Sequence, residues 1–143
     1  MTNSRGPSDP VSDFLPRDES HLTIAPLLDA IAVQAQRADA TRSIDGQLVA
    51  AIRGSAFMRM SASAELGGSG HSLHRIGLEL EAISARCPST AWCLWNHLCV
   101  FHLFVGSLGP EHLSFLTGIV ERGEWVSFPA GAGSGVHGRV AGD

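Results

Sequence analysis

The sequence predicts an all-α fold: five helices over residues 21–123, followed by the start of a β-domain over 124–143. Three observations predict it. Apolar residues recur at spacings of three and four in windows separated by Gly, Ser and Pro breaks. The stretch 91–105 is apolar over more residues than a strand ordinarily uses. After Gly123 the character changes to Trp125-Val126-Ser127-Phe128 and then a glycine-rich run.

The first helix opens near Thr23, a suitable N-cap, with Pro26 tolerated in the first turn. Leu27, Leu28, Ile31, Ala32 and Ala35 form its apolar stripe, and polarity returns at Arg37–Asp39. Asp45 caps a short second helix with Leu48, Val49 and Ile52 inward, ended by Gly54 and Ser55. Phe57, Met58 and Met60 read as a descending chain packed back on the core, and 61–70 is a glycine-rich loop. Ser72 caps a third helix with Leu73, Ile76, Leu80 and Ile83 inward and Arg75, Glu79 and Glu81 on its other face.

Pro88-Ser89 restarts the chain, with Ser89 as N-cap of a fourth helix to about Val105. This helix is apolar nearly all round, which predicts cover on most sides, either centrally or by a second domain. Gly109-Pro110 opens a fifth, with Leu113, Leu116, Ile119 and Val120 inward. Residues 125–128 and 136–140 read as strands flanking the turn 131–138. Two strands alone make no stable sheet, so the segment reads as the opening of an unfinished β-domain.

The 143 residues fit one domain able to bury a core without disulfides or metals. An apolar share of 44% against 17% charged describes a globular chain, except for a Pro/Ser/Asp/Gly-rich tail over 1–20 that reads as disordered. The net charge of -4 offers no footprint for nucleic acid or an anionic membrane surface. The ten basic residues are all arginine, which excludes a Schiff-base lysine and a phosphate-loop lysine. Cys87, Cys93 and Cys99 are odd in number and share one apolar region, which predicts reduced thiols in a cytoplasmic protein. No signal peptide is read, and 91–105, interrupted by Asn96, His97 and His102, is too short for a membrane span of roughly 20 residues.

The order of elements and motifs resembles the N-terminal helical domain of the acyl-CoA dehydrogenase superfamily of flavoproteins, over residues 27–143. The residues that carry the resemblance are Ala38-Asp39, the descent at 48–60, Glu65-Leu66-Gly67-Gly68, Pro110-Glu111 and the approach 138–143. Ser89-Thr90-Ala91-Trp92, with His97 five residues after the tryptophan, is similar to the two-component flavin monooxygenase branch. Val100 stands where another version of that pattern has histidine, and Ser63 or Ala64 replaces the usual proline before the Glu-x-Gly-Gly loop.

The resemblance implies a flavin-dependent oxidoreductase using FAD or FMN, in which a separate flavin reductase supplies reduced flavin and a small organic molecule is hydroxylated with oxygen. It implies a homo-oligomer when complete, with flavin held by polypeptide beyond this chain, so that these residues alone are inactive. Alternatives are a dehydrogenase acting on an acyl thioester and a non-catalytic helical binding module. For substrate binding the resemblance points to His97 and, beside it, Trp92. Each also has a plainer reading: His97 as a core histidine bonded to a carbonyl, Trp92 and Trp95 as core aromatics, Ser89 as a cap. No residue is assigned a catalytic or cofactor-binding role. Cys93-x3-His97 and His71-x2-His74 lie on different segments without matching partners, so no metal site is read.

Overall fold

A computed structural model describes residues 18–127; the expectations for 1–17 and 128–143 lie outside them. Within these residues the chain forms five α-helices: α1 (Leu28–Thr41), α2 (Gly46–Gly54), α3 (Leu73–Ser84), α4 (Pro88–Ser107) and α5 (Leu113–Glu121). Short 3-10 turns at Ala25–Leu27, Ala56–Arg59, Ala64–Leu66 and Pro110–His112 join them. The helical class read from the sequence is what is observed.

Two local signals act as expected. Asp45 accepts from the amides of Gln47 and Leu48 at the start of α2, and Ser72 accepts from Arg75 at the start of α3. Each satisfies an amide that a helix start leaves without an intrahelical partner. The loop after the descent closes through Ser69 N–H to Arg59 O, Gly70 N–H to Ala62 O and His71 N–H to Met60 O. Gly68 is required there: a Cβ would lie 2.1 Å from the Ala62 carbonyl oxygen.

Two apolar clusters lie at successive levels of α4. The larger gathers Ile24, Leu28, Ile31, Ile52, Phe57, Met60, Ile83, Leu94 and Leu98 among others. The smaller joins Ala62, Leu66 and Phe101 to Leu116, Ile119 and Val120 of α5. At roughly 1.5–3 kcal/mol for each large side chain withdrawn from water, these clusters dominate the favourable side of folding.

Several expectations are corrected. Thr23 is not a side-chain cap. Its amide (2.8 Å) and that of Ile24 (2.9 Å) donate instead to the Glu79 carboxylate, reaching across 56 and 55 residues. Glu79 was expected on the solvent face of α3 but is wholly buried, paired with Arg75 at 3.0 Å. Arg75 also donates to the His21 carbonyl, so one ion pair fixes the entry to α1. Glu19, expected in the loose tail, forms a two-pronged pair with Arg86.

Ser89 sits inside α4, whose N-cap is Cys87; Pro88, lacking an amide proton, fits the first helical position without losing a bond. Leu73 and Leu113 open their helices on the outside, Leu73 with 73% of its surface exposed. Residues 124–127 form no strand. Trp125 and Val126 bond to α4 rather than to extended backbone.

Replacing Glu79 with alanine leaves the Thr23 and Ile24 amides without their acceptor and Arg75 without its counter-charge. A loss of about 3–5 kcal/mol is expected, measured by urea unfolding, with amide exchange rising first over residues 19–27.

Candidate functional site

The outward side of α4 forms the site. Trp92 and Trp95 are one turn apart on it, 64% and 44% exposed, with ring centroids 5.0 Å apart and planes 23° from parallel. Trp95 thus packs on Trp92 and not in the core, which corrects the plainer reading of that residue. Two adjoining clefts of about 540 and about 510 Å3 run beside Trp92. They share Ser43, Ile44, Trp92 and Cys93, and so form one open groove between the α1–α2 link and the first half of α4. At one end lie Asp39 and Arg42, at the other Asn96, Trp125 and Ser127. Arg42 ends α1 in the left-handed conformation, φ 52°, which turns the chain sharply enough to place Ser43 and Ile44 opposite α4.

Trp92 therefore lines a groove, and His97 does not. The imidazole is 2% exposed, one layer beneath the groove. Nε2 faces the Met58 carbonyl oxygen at 3.4 Å, and Nδ1 accepts the Val126 amide proton at 3.0 Å. Only the neutral ring with its proton on Nε2 meets both contacts. Phe101 and Trp125 pack against the ring, each with centroid separation 6.5 Å, Trp125 edge-on. The arrangement leaves neither nitrogen free for a substrate, so the expectation of an imidazole presented to ligand is not met in this conformation. Burial lowers the proton affinity of the ring, offset in part by the bond to Met58.

Burial raises the affinity of the Cys93 and Cys99 thiols for their protons, with Cys87 adding to the effect at Cys93. Thiols held protonated are poor nucleophiles. Among the described residues no three metal-ligating side chains stand together. Cys93 is exposed, whereas both nitrogens of His97 are engaged. No described helix is long and apolar enough to cross a membrane.

The helix starts among the described residues offer little to a phosphate. The starts of α2 and α3 carry their own capping side chains, α4 opens on a proline, and α5 continues directly from the turn Pro110–His112. A phosphate would therefore meet no ready amide cradle at α2, α3 or α4. The opening of about 370 Å3 lined by Arg53, Arg59 and Arg122 lies where α2 and α5 end. Helix C-termini repel anions. Arg53 there already donates to the Arg122 and Gly123 carbonyls, and Arg122 is paired with Glu124.

Sequence reasoning missed Ser43, Ile44 and Trp125 as groove residues. A lone tryptophan just after the Gly123 turn was the available signal, and it was read as a strand. No family model, curated protein or solved structure matches the chain.

Replacing His97 with alanine removes two polar contacts and opens a cavity, at an expected cost of about 2–4 kcal/mol. The parent chain also carries a pH signature. Unfolded, the ring takes a proton near its ordinary value of 6.5, whereas folded it resists. Stability from this group is complete above that pH and declines as pH falls below it toward the depressed folded value. Urea unfolding at a series of pH values should show that slope in the parent and its loss in His97→Ala.

Proposed function

We propose that the chain is the N-terminal helical part of a flavin-dependent oxidoreductase, a monooxygenase hydroxylating a small organic molecule, and that its groove forms the substrate-side wall. The observation that carries this reading is the exposed indole of Trp92, stacked on Trp95, along a groove of small-molecule size. Binding sites are ordinarily clefts of about 300–1,000 Å3, mainly apolar with a few polar groups. Trp92 supplies the flat apolar surface, with Asn96, Ser43 and Ser127 at the edges. The sequence resemblance and the order of the helices support the same reading.

A second support is α4 itself. It buries Thr90, Ala91, Leu94, His97, Leu98, Val100 and Phe101 yet leaves Trp92, Trp95, Leu103 and Val105 outside. An apolar outer face suits contact with the flavin-bearing polypeptide and would keep water from the reacting atoms. Flavin, bound by the remainder of such an enzyme, supplies the redox chemistry. This chain's contribution is to seat and orient the substrate.

The test uses the complete gene product with reduced flavin and labelled dioxygen, offered a panel of small organic molecules. Incorporation of one labelled oxygen atom into a product is expected. Anaerobic oxidation of an acyl thioester with an artificial acceptor would instead identify a dehydrogenase. No flavin-dependent turnover of either kind would leave a binding module and overturn the proposal. Trp92→Ala should raise KM about tenfold or more while changing unfolding free energy by less than about 1.5 kcal/mol, the worth of an aromatic pair.

A further inference from the structure

The chain that leaves α5 is held in two unequal parts. Gly123 and Glu124 are firmly tied. Gly123 adopts φ +55° with no room for a Cβ, which would meet the Arg53 carbonyl oxygen at 2.6 Å. Arg53 donates to the Arg122 and Gly123 carbonyls, and Glu124 donates its amide to Ile119 O while its carboxylate pairs with Arg122. Beyond this anchor, residues 125–127 are held by two hydrogen bonds of different kinds. The Trp125 indole Nε1–H donates to the Cys93 carbonyl at 3.2 Å, and the Val126 amide donates to His97 Nδ1 at 3.0 Å. Trp125 packs against the larger apolar cluster and Val126 against the smaller. The same Trp125 and Ser127 line the groove.

We propose that residues 125–127 form a strap latched over α4 by neutral His97, and that proton uptake by the imidazole releases the strap, opens that end of the groove and brings the ring to its wall. The chemistry of the latch dictates the direction. A protonated ring carries N–H on both nitrogens. Nδ1–H would then face Val126 N–H, donor against donor, while the bond to Met58 O persists. The latch therefore breaks on the strap side. Pivoting at Glu124–Trp125 exposes the ring to water, which relieves the desolvation opposing its charge.

Among the described residues the groups around the ring are otherwise engaged or uncharged. On α4 the nearby titratable side chains are the Cys93 and Cys99 thiols and the exposed His102. On α3, Glu79 is engaged by Arg75 and two amides. Arg53 and Arg59, from α2 and the turn after it, line the separate opening beside α5, and Glu124 is paired with Arg122. The proton affinity of the ring is set by burial and by the Met58 carbonyl. The latch stands on this geometry alone; only its consequence for substrate rests on the groove being the substrate wall.

The test follows the Val126 amide protection factor and the Trp125 indole N–H resonance by NMR as pH falls from about 8 to 5, with core amides of α3 and α4 as the reference. Expected in the parent chain is loss of Val126 protection and a shift of the Trp125 resonance as pH passes below the ordinary histidine range, with core amides still protected. His97→Gln, whose amide can accept from Val126 and donate to Met58 without titrating, should hold the strap closed throughout. Val126→Pro, which removes the donor, should leave Trp125 in its released environment at every pH. Strap and core protection lost together, or the same transition in His97→Gln, would overturn the proposal. These readouts need neither flavin nor turnover, so a failed activity assay leaves them interpretable.

Discussion

The seating of α1 depends on a carboxylate that no water reaches. Glu79 stands on α3, yet its oxygens receive the amides at the entry to α1 and the Arg75 guanidinium. Because α3 packs against α4, this one group sets where the entry of α1 lies relative to that helix pair. A buried ion pair is a poor source of net stability, since desolvation offsets most of the attraction. Its value lies in direction: two amides and one fork must all point at it, and few arrangements of the entry segment allow that.

The imidazole of His97 acts in a similar way where residues 125–127 meet α4. A ring with one bare and one protonated nitrogen joins an acceptor, the Met58 carbonyl, to a donor, the Val126 amide. An alkyl side chain of the same volume would leave both backbone groups without partners in the interior, and each such orphan costs about 1–3 kcal/mol. The polar residue thus sits on an apolar helix because backbone groups from two other segments arrive there needing opposite partners.

Much of the fold was legible because its causes are local. Asp45 and Ser72 cap helices whose first turns follow them directly, and the stripes Leu48–Ile52 and Ile76–Ile83 keep helical spacing. What was not legible has causes distant in sequence. Glu79 reads as a solvent-facing charge because its partners lie 55 and 56 residues away. Trp125-Val126 reads as a strand because both residue types favour extended backbone; their partners are instead a helix carbonyl and a histidine nitrogen. Leu73 and Leu113 fit the periodicity but fall in first turns, beyond the edge of the core. At the site, the sequence pointed to α4 and to Trp92, which lines the groove, but spacing could not tell which side of α4 faces it.

That ambiguity has a physical origin in α4. A helix polar on one side declares its orientation; a helix apolar all round does not. Here the buried half is chosen by the smaller and better-fitting residues, Ala91, Leu94 and Leu98, which nest against α1 and α3, while the two indoles are too large for that seam and stack on each other outside. Leaving Trp92 and Trp95 64% and 44% exposed forgoes part of the roughly 1.5–3 kcal/mol that burying a large apolar side chain returns. Stacking recovers only about 0.5–1.5 kcal/mol of it. The remaining deficit is largest beside the groove, where a bound molecule or an abutting polypeptide would reduce it.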